Sequence, residues 1–217
     1  MTTTRSSDHP MSIARRFRFR DPPAPICRVC WSRPRALKEY RRGLERTFRQ
    51  VAEKKALAFR IETAPDLPPA IRTDAKRLQQ VVKNLLSNAF KFTEKGSVDL
   101  VVRTVREGWG QHEVLDRAAS VVAFEVRDTG IGIPADKHRV IFEAFQQADG
   151  TTSRKYGGTG LGLSISREIV GMLGGVIRLE SEPGRGSVFT IYLPLAWSAP
   201  TQKKARTEFS TVVVTGA

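Results

Sequence analysis

The stretch YGGTGLGLSI, residues 156–165, places four glycines in seven positions just before an apolar run of helical character. Glycine is disfavoured inside helices, so this number of glycines at a helix start needs a physical reason. The first turn of a helix offers unpaired N–H groups and a partial positive charge, and glycine lets an anion approach them without a Cβ in the way. The stretch therefore indicates a phosphate cradle at Gly158, Gly160 and Gly162, with a glycine-rich hinge as the alternative.

Three familiar motifs of phosphate chemistry do not explain these glycines. A P-loop requires GxxxxGK[ST], which the sequence does not contain, and a dinucleotide-binding fold requires a strand where this sequence has a polar stretch. A protein-kinase catalytic loop is missing too, because His138 and Arg139 are followed by Val140. The partners of the glycines have to come from other parts of the chain.

The stretch NLLSNAFKFT, residues 84–93, lies in the strongest predicted helix, residues 74–92. Its polar residues Asn84, Asn88 and Lys91 are spaced i, i+4 and i+7, so two amides and an ammonium group share one face of an otherwise apolar helix. This pattern favours a binding role for that face. A solvated surface stripe is the alternative.

The stretch VRDTGIGIP, residues 126–134, ends an apolar strand with Asp128 and follows it with Gly130 and Gly132. A carboxylate fixed at a strand end can accept a hydrogen bond from an exocyclic amine, and glycines let a flat ring lie against the backbone. The letters DTG also occur in aspartic proteases. Such a protease needs a second copy of the motif or a small homodimeric chain, and flap features that the sequence lacks.

Five stretches, in this order and spacing, resemble the N, G1, F, G2 and C-terminal glycine boxes of sensor histidine kinase ATP-binding domains: NLLSNAFKFT, DTGIGIP, IFEAFQQ, GGTGLGLSI and PGRGSVFTIYLP. The similarity covers about residues 36–195. The mixed order of roughly five strands and three or four helices itself predicts an α+β two-layer sandwich. The resemblance makes this the Bergerat fold, with a mixed sheet, helices on one face and a mobile lid over ATP.

The resemblance implies ATP and Mg²⁺ as ligands and gives residues roles by motif position. Asn88 would bind Mg²⁺ through its side-chain oxygen, with Asn84 supporting the metal or the phosphates and Lys91 meeting the phosphate charge. Asp128 would bind the adenine amine. The other implied ATP-binding residues are Phe92, Gly130, Gly132, Arg154, Lys155, Tyr156, Gly158, Thr159, Gly160, Leu161, Gly162 and Thr190.

The resemblance also implies what surrounds the base and the phosphates. Phe92 and Thr190 would lie beside the purine, and the glycines after Asp128 would shape its pocket. The polar stretch 146–158 would be the lid, with Phe142 and Phe145 anchoring its near end.

The implied activity is transfer of the γ-phosphoryl group of Mg-ATP to a histidine, as in two-component signalling, and no residue is assigned an acid-base role. Chaperone, gyrase B and mismatch-repair ATPases of the wider superfamily carry a Glu at the first N-box position, where it activates water. Asn84 stands there in this chain, and an amide is not a general base at neutral pH, so we expect slow hydrolysis.

None of His9, His112 and His138 resembles the phosphoacceptor box of a complete sensor kinase. A phosphoacceptor histidine domain and a response regulator are therefore expected in trans or on a missing part of the chain. The runner-up function is a nucleotide-binding interaction module in which lid closure regulates a partner. A third class, the ATP-driven clamp, predicts steady-state hydrolysis, which Asn84 disfavours.

Charged residues are distributed unevenly along the 217-residue chain. The net charge is +14, but residues 1–60 hold 16 basic against 5 acidic residues, so a nucleic-acid role for the folded part is disfavoured. We expect a disordered basic arm over 1–35, the ATP-binding domain over 36–195 and a disordered tail or linker over 196–217.

The two cysteines, Cys27 and Cys30, lack further ligands at zinc-binding spacing. No run is long and apolar enough to span a bilayer, and a cytoplasmic location is expected.

Local patterns predict the remaining elements. A helix is expected over about 36–55, an exposed loop over 106–119, a short helix over 137–145 and a further helix over about 159–173. The last two strands are expected to form a hairpin through PGRG.

Overall fold

The computed structural model describes residues 35–68, 70–143 and 160–196. Its helices and strands, in chain order, are β1 (Arg35–Ala36), α1 (Leu37–Lys55), β2 (Ala58–Thr63), β3 (Ala70–Ile71), α2 (Ala75–Phe92), β4 (Ser97–Val105), α3 (Glu113–Asp116), β5 (Val121–Asp128), α4 (Gly162–Met172), β6 (Val176–Glu182) and β7 (Gly186–Pro194). Two 3₁₀ turns, Ala135–Lys137 and Val140–Phe142, follow β5.

The central sheet has five strands in the order β2-β4-β5-β7-β6. β2 runs parallel to β4, whereas the other neighbouring pairs are antiparallel, so the sheet is mixed. Strands β1 and β3 form a separate two-stranded ribbon. The predicted hairpin between the last two strands is present as β6 and β7.

The main core lies between this sheet and helices α1, α2 and α4, which all contribute buried residues to it. Along each strand, side chains alternate between the two faces of the sheet. The even-numbered residues Val122, Phe124 and Val126 of β5 pack into this core, as do Phe189 and Ile191 of β7. The fold is therefore the predicted α+β two-layer sandwich, with helices on one face.

Helix α2 carries a nearly complete apolar stripe into this core. Its buried residues are Leu78, Val81, Val82, Leu85, Leu86, Ala89 and Phe90. The helix begins after Asp74, whose Oδ1 accepts hydrogen bonds from the backbone N–H groups of Lys76 (3.0 Å) and Arg77 (3.1 Å). This cap satisfies two N–H groups that the first turn leaves unpaired.

We expect Asp74→Ala to lower the free energy of unfolding by about 1–2 kcal/mol, because it removes a buried helix cap. Urea unfolding followed by circular dichroism measures this loss. Asp74→Ser is the matched control, since a serine side chain also caps helices, and it should recover most of the stability. Equal losses in the two variants would show that the cap is not the source of the effect.

The segment between β4 and β5 is mostly exposed, as predicted, but it contains a short helix and two buried residues. Residues Glu113–Asp116 form a short helix, and Trp109 and Leu115 are buried with Tyr192 against the sheet face opposite the main core. The Trp109 indole N–H donates to Asp116 Oδ1 (2.8 Å), and Arg178 Nε donates to the Trp109 carbonyl (2.8 Å). The segment therefore covers part of the second face of the sheet.

Two helix predictions need correction. The short helix expected over 137–145 is replaced, within the described residues, by the two 3₁₀ turns that end at Phe142. The helix expected from about residue 159 begins at Gly162, because Leu161 is its N-cap and Gly160 has φ +69°. Helix ends are the part of a helix that sequence periodicity defines least sharply.

The predicted domain ends lie at the limits of the described residues. Arg35 pairs with Ile71, and Ala196 forms a bridge with Arg72, so both belong to the fold. The arm and tail expected beyond them lie outside the described residues. Within the described ranges, none of the helices has the length and apolar character that a bilayer crossing requires.

Candidate functional site

The polar flank of α2 contacts the start of α4 through Asn84. Its Nδ2 donates to the Ser166 hydroxyl (3.0 Å), and a Cβ placed on Gly162 would lie 2.6 Å from Asn84 Oδ1. Only glycine fits at position 162 without displacing the amide, since real Cβ contacts are not this short. Sequence reasoning placed Asn84 and Gly162 in one site, and the structure brings them into contact. Ser166 was missed, although it lies one helical turn beyond Gly162.

The side chain of Asn88 lies one turn further along α2 and is half-buried. No residue in the described ranges hydrogen-bonds to its amide. An amide oxygen held on a helix face is one of the hard oxygen ligands that Mg²⁺ accepts. Its position next to Asn84 therefore fits the predicted metal role.

The first turn of α4 lacks a side-chain cap. Leu161 is the N-cap residue and has no hydroxyl, amide or carboxylate with which to bond the first N–H groups. The Ser164 hydroxyl donates to the Leu161 carbonyl (2.9 Å), and no side-chain cap bonds to those N–H groups within the described residues. An uncapped helix start in contact with the Asn84 amide suits an anionic ligand.

The carboxylate of Asp128 lies at the end of β5, on the same face of the sheet as the helices. It accepts a hydrogen bond from the Gly130 backbone N–H (2.9 Å), and Ser187 is its partner in the neighbouring strand. Burial raises the pKa of Asp128 above its usual value, and the backbone N–H groups of Gly130 and Ser187 partly counter the effect. The side chain is thus a half-buried hydrogen-bond acceptor held in a fixed orientation.

The glycines around Asp128 allow close approach of the backbone. A Cβ on Gly130 would lie 2.5 Å from the Phe92 carbonyl, and a Cβ on Gly132, whose φ is +68°, would lie 2.0 Å from the Glu182 carbonyl. These residues were predicted to leave room for a flat ring. The structure adds a second reason for glycine here, because the space that their Cβ atoms would fill is occupied by the chain's own backbone. Their place beside a flat ring stays a prediction.

The C-terminal end of α2 joins the two halves of the site. The Phe92 carbonyl accepts from the Ile131 N–H (3.3 Å) in the loop that follows Asp128. Eight residues separate Phe92 from Asn84, which corresponds to about 12 Å along the helix. One helix therefore contacts α4 at Asn84 and the Asp128 loop at Phe92, with Lys91 beside it and its ammonium group 4.9 Å from the Phe92 ring centroid.

Thr190 is not beside Asp128, so its predicted place next to the purine is corrected. It lies on the opposite face of β7, directly across from Glu125 in the sheet. Strand alternation places Ser187 on the helix face instead, and Ser187 is the direct partner of Asp128 in the sheet. Ser187 is the residue of this strand that sequence reasoning missed.

Several predicted site residues lie outside the described residues. These are Arg154, Lys155, Tyr156, Gly158 and Thr159, together with Phe145 and the expected lid. Phe142 is described, and its ring packs edge-on against Phe189 (6.3 Å between centroids).

The donor set of the described residues suits a hard cation bound together with its anionic ligand. No group of three or more His, Cys, Asp or Glu side chains that could hold a metal occurs in the ranges the structure describes. Mg²⁺ is commonly bound by one or two protein oxygens and by substrate phosphates, which does not require such a cluster. The asparagine amides of α2 fit this mode.

Comparison with known proteins agrees with this geometry. Residues 73–196 match the family described as "Histidine kinase-, DNA gyrase B-, and HSP90-like ATPase". Similar solved structures include full-length ShkA in complex with AMPPNP (TM-score 0.61, 31% identity, 77% of this chain and 32% of that chain). The catalytic domain of histidine kinase ThkA is also similar (TM-score 0.58, 28% identity, 75% and 94% of the two chains).

Curated relatives are much longer than this chain. The signal transduction histidine-protein kinase BarA of Escherichia coli is 40% identical over 141 residues, which is 65% of this chain and 14% of BarA. The circadian input-output histidine kinase CikA of Synechococcus elongatus is 49% identical over 124 residues, 57% of this chain and 15% of CikA. The chain thus spans about one seventh of the length of these relatives. Since the matched family covers more than half of its residues, the chain belongs to the histidine kinase-, DNA gyrase B- and HSP90-like ATPases, as an ATP-binding domain homologous to the catalytic domains of sensor histidine kinases.

Proposed function

We propose that this domain binds Mg-ATP along the polar flank of α2 and transfers the γ-phosphoryl group to a histidine of another domain or chain. The observation that carries the proposal is the position of α2. This helix contacts the uncapped glycine start of α4 through Asn84 and the loop of the buried Asp128 carboxylate through Phe92. The helix thus carries amide oxygens that can bind a metal. It contacts the N–H groups of α4, which can bind phosphates, and the loop of a carboxylate that can bind an amine.

Each group has a role that its chemistry allows. Asp128 accepts a hydrogen bond from the exocyclic amine of adenine, because its carboxylate lies at the end of β5 and is held by the Gly130 backbone N–H. Asn88 and Asn84 supply oxygen ligands to Mg²⁺, which when bound neutralises phosphate charge. Lys91 and the first N–H groups of α4 face the phosphates.

The proposed reaction depends on positioning rather than on acid-base catalysis. Phosphoryl transfer has a loose transition state and asks for little covalent chemistry from the protein. The Asn84 amide cannot deprotonate water at neutral pH, and its Nδ2 already donates to Ser166. Slow hydrolysis would preserve the phosphoryl group for the acceptor.

The proposed partners are a histidine-bearing helical hairpin and a response regulator. Support for the second comes from a similar structure, histidine kinase ThkA in complex with response regulator protein TrrA (TM-score 0.56, 25% identity). The response regulator would take the phosphoryl group from the phosphorylated histidine.

A labelling experiment tests this proposal. The domain is incubated with Mg²⁺, ATP labelled at the γ-phosphate and separately supplied histidine-bearing hairpins, and we expect label on a hairpin that is lost in acid and stable in alkali. The matched control is the same hairpin with its histidine changed to glutamine. Nucleotide binding without any labelling would support the interaction module instead, and steady-state phosphate release would support the ATP-driven clamp.

A further inference from the structure

A cluster of hydroxyl and backbone groups joins the β6–β7 hairpin to the loop that follows Asp128. Ser181 is at its centre: its Oγ accepts from the Ile133 N–H (2.8 Å), donates to the Gly186 carbonyl (2.9 Å) and lies 3.0 Å from Ser187 Oγ. A serine hydroxyl has one proton to donate and two lone pairs to accept with. All three capacities are used when the Ser187 hydroxyl donates to Ser181 Oγ, so the cluster is fully satisfied.

The cluster lies in register with the adenine-binding carboxylate. Asp128, Ser187 and Ser181 are directly opposite one another across β5, β7 and β6, on the face that carries the helices. Directly opposed side chains in neighbouring strands are close enough to interact. Ser181 is therefore two strands away from Asp128 and touches the residue between them.

Ser181 also bonds to both segments that hold the Asp128 carboxylate. One segment is the loop 129–134, which donates to the carboxylate through Gly130 and to Ser181 through Ile133. The other is the start of β7, where Ser187 pairs with Asp128 in the sheet and its N–H favours the charged carboxylate. Removing the Ser181 hydroxyl would leave the Ile133 N–H without this acceptor and would remove the side-chain link between the two segments.

Backbone contacts between the same two segments leave no room for a shifted arrangement. A Cβ on Gly186, whose φ is +98°, would lie 1.9 Å from the Asp128 carbonyl. The Gly184 N–H donates to the Ile131 carbonyl (2.8 Å). The loop and the hairpin thus fit together in one register, and Ser181 is the side chain that bonds across their junction.

We propose that Ser181 is a positioning residue for base recognition: its hydroxyl fixes the Asp128 loop against the β6–β7 hairpin and so orients the Asp128 carboxylate toward the adenine amine. The effect is indirect, because Ser181 acts through Ile133 and Ser187. This inference rests on the proposed nucleotide function. Ser181 lies outside all five of the sequence motifs described above.

Two measurements on Ser181→Ala test the inference, one with nucleotide and one without. By calorimetry we expect ATP binding about five- to tenfold weaker, with GTP binding little changed, so that the preference for adenine falls by the same factor. In the nucleotide-free protein, hydrogen exchange followed by NMR should become faster at the Gly130 and Ser187 amides. The Gly130 N–H bonds the Asp128 carboxylate, the Ser187 N–H lies beside it, and the Ser181 hydroxyl bonds neither N–H directly.

Two further variants separate positioning from a general loss of structure. Ser181→Thr keeps the hydroxyl and should restore both the adenine preference and the slow exchange. Thr47→Ala removes an exposed hydroxyl, bonded to Gly43 on α1, and should change neither. Unchanged Gly130 and Ser187 exchange in Ser181→Ala would overturn the inference. If the unaltered protein bound no nucleotide, the proposed function would fail, and the exchange data would still decide whether Ser181 positions Asp128.

Discussion

Asn88→Ala is expected to weaken Mg-ATP binding by at least about 100-fold, or about 2.7 kcal/mol, while the domain stays folded. The loss is large because the variant removes an oxygen ligand from a site that offers the metal few protein ligands. The fold should tolerate the change because the Asn88 amide is half-buried and no described residue bonds to it. Alanine is also the better helix former, so the free energy of unfolding should not fall.

Calorimetric titration with ATP, in Mg²⁺ and in excess chelator, measures the effect. Ser87→Ala is the matched control, because Ser87 precedes Asn88 on the same helix but is exposed to solvent. We expect Ser87→Ala to bind Mg-ATP like the unaltered protein, and the unaltered protein to lose affinity when Mg²⁺ is chelated. Equal affinity in Asn88→Ala and Ser87→Ala would show that the metal is bound elsewhere.

The polar flank of α2 could be predicted because helical spacing determines which residues share a face. Asn84 and Asn88 are four residues apart, so a helix that buries its apolar stripe must place both amides on one flank. The contact between Asn84 and Gly162 follows once α2 and α4 pack against the same sheet. The Ser166 hydrogen bond depends on the exact rotation of α4 about its axis, which periodicity does not give.

Strand β7 shows why the face of Thr190 could not be predicted from sequence. A strand with one solvated face alternates apolar and polar residues, and the alternation identifies the buried face. In β7, Phe189, Ile191 and Leu193 enter the main core, but Tyr192 is also buried, on the other face. Because the segment around Trp109 covers that second face, both faces of the strand carry apolar residues and the pattern is ambiguous.

The same long-range contact explains the other missed feature, the structure between β4 and β5. Its glycines and charges are typical of an exposed loop. The local sequence does not predict a contact with Tyr192, which lies 83 positions after Trp109 in the chain. The Trp109 ring packs edge-on against Tyr192 at 6.0 Å between centroids. Burial of Trp109 and Leu115 is therefore a tertiary effect that only the assembled sheet creates.

Asp128→Asn is expected to lower the ratio of ATP affinity to GTP affinity by at least about tenfold. The nucleotide-free fold should not be destabilised. The carboxylate of Asp128 only accepts hydrogen bonds at neutral pH, which suits an amine but not the carbonyl that guanine presents at the same position. An asparagine amide both accepts and donates, so it no longer distinguishes the two bases. Competition titrations with ATP and GTP measure the ratio of their affinities.

The expected stability of Asp128→Asn follows from the direction in which the fold shifts the pKa of Asp128. Burial raises the pKa of Asp128 in the folded chain, so the folded chain binds this proton more tightly than the unfolded chain does. The contribution of this group to stability therefore falls as pH rises from the unfolded pKa to the raised folded pKa. At neutral pH the charged carboxylate is a cost to the fold, and asparagine removes that charge.

We therefore expect Asp128→Asn to unfold at an equal or higher urea concentration than the unaltered domain at neutral pH. The difference in urea midpoint between the variant and the unaltered domain should shrink as the pH is lowered through the raised pKa of Asp128. The ATP affinity of the unaltered protein should fall over the same range, because the carboxyl group becomes protonated. Asp136→Asn makes the same chemical change at an exposed position and should alter neither property. If Asp128→Asn were less stable than the unaltered domain and still preferred ATP, Asp128 would have a structural role. The proposal requires the opposite result, in which the carboxylate lowers stability and provides the preference for adenine.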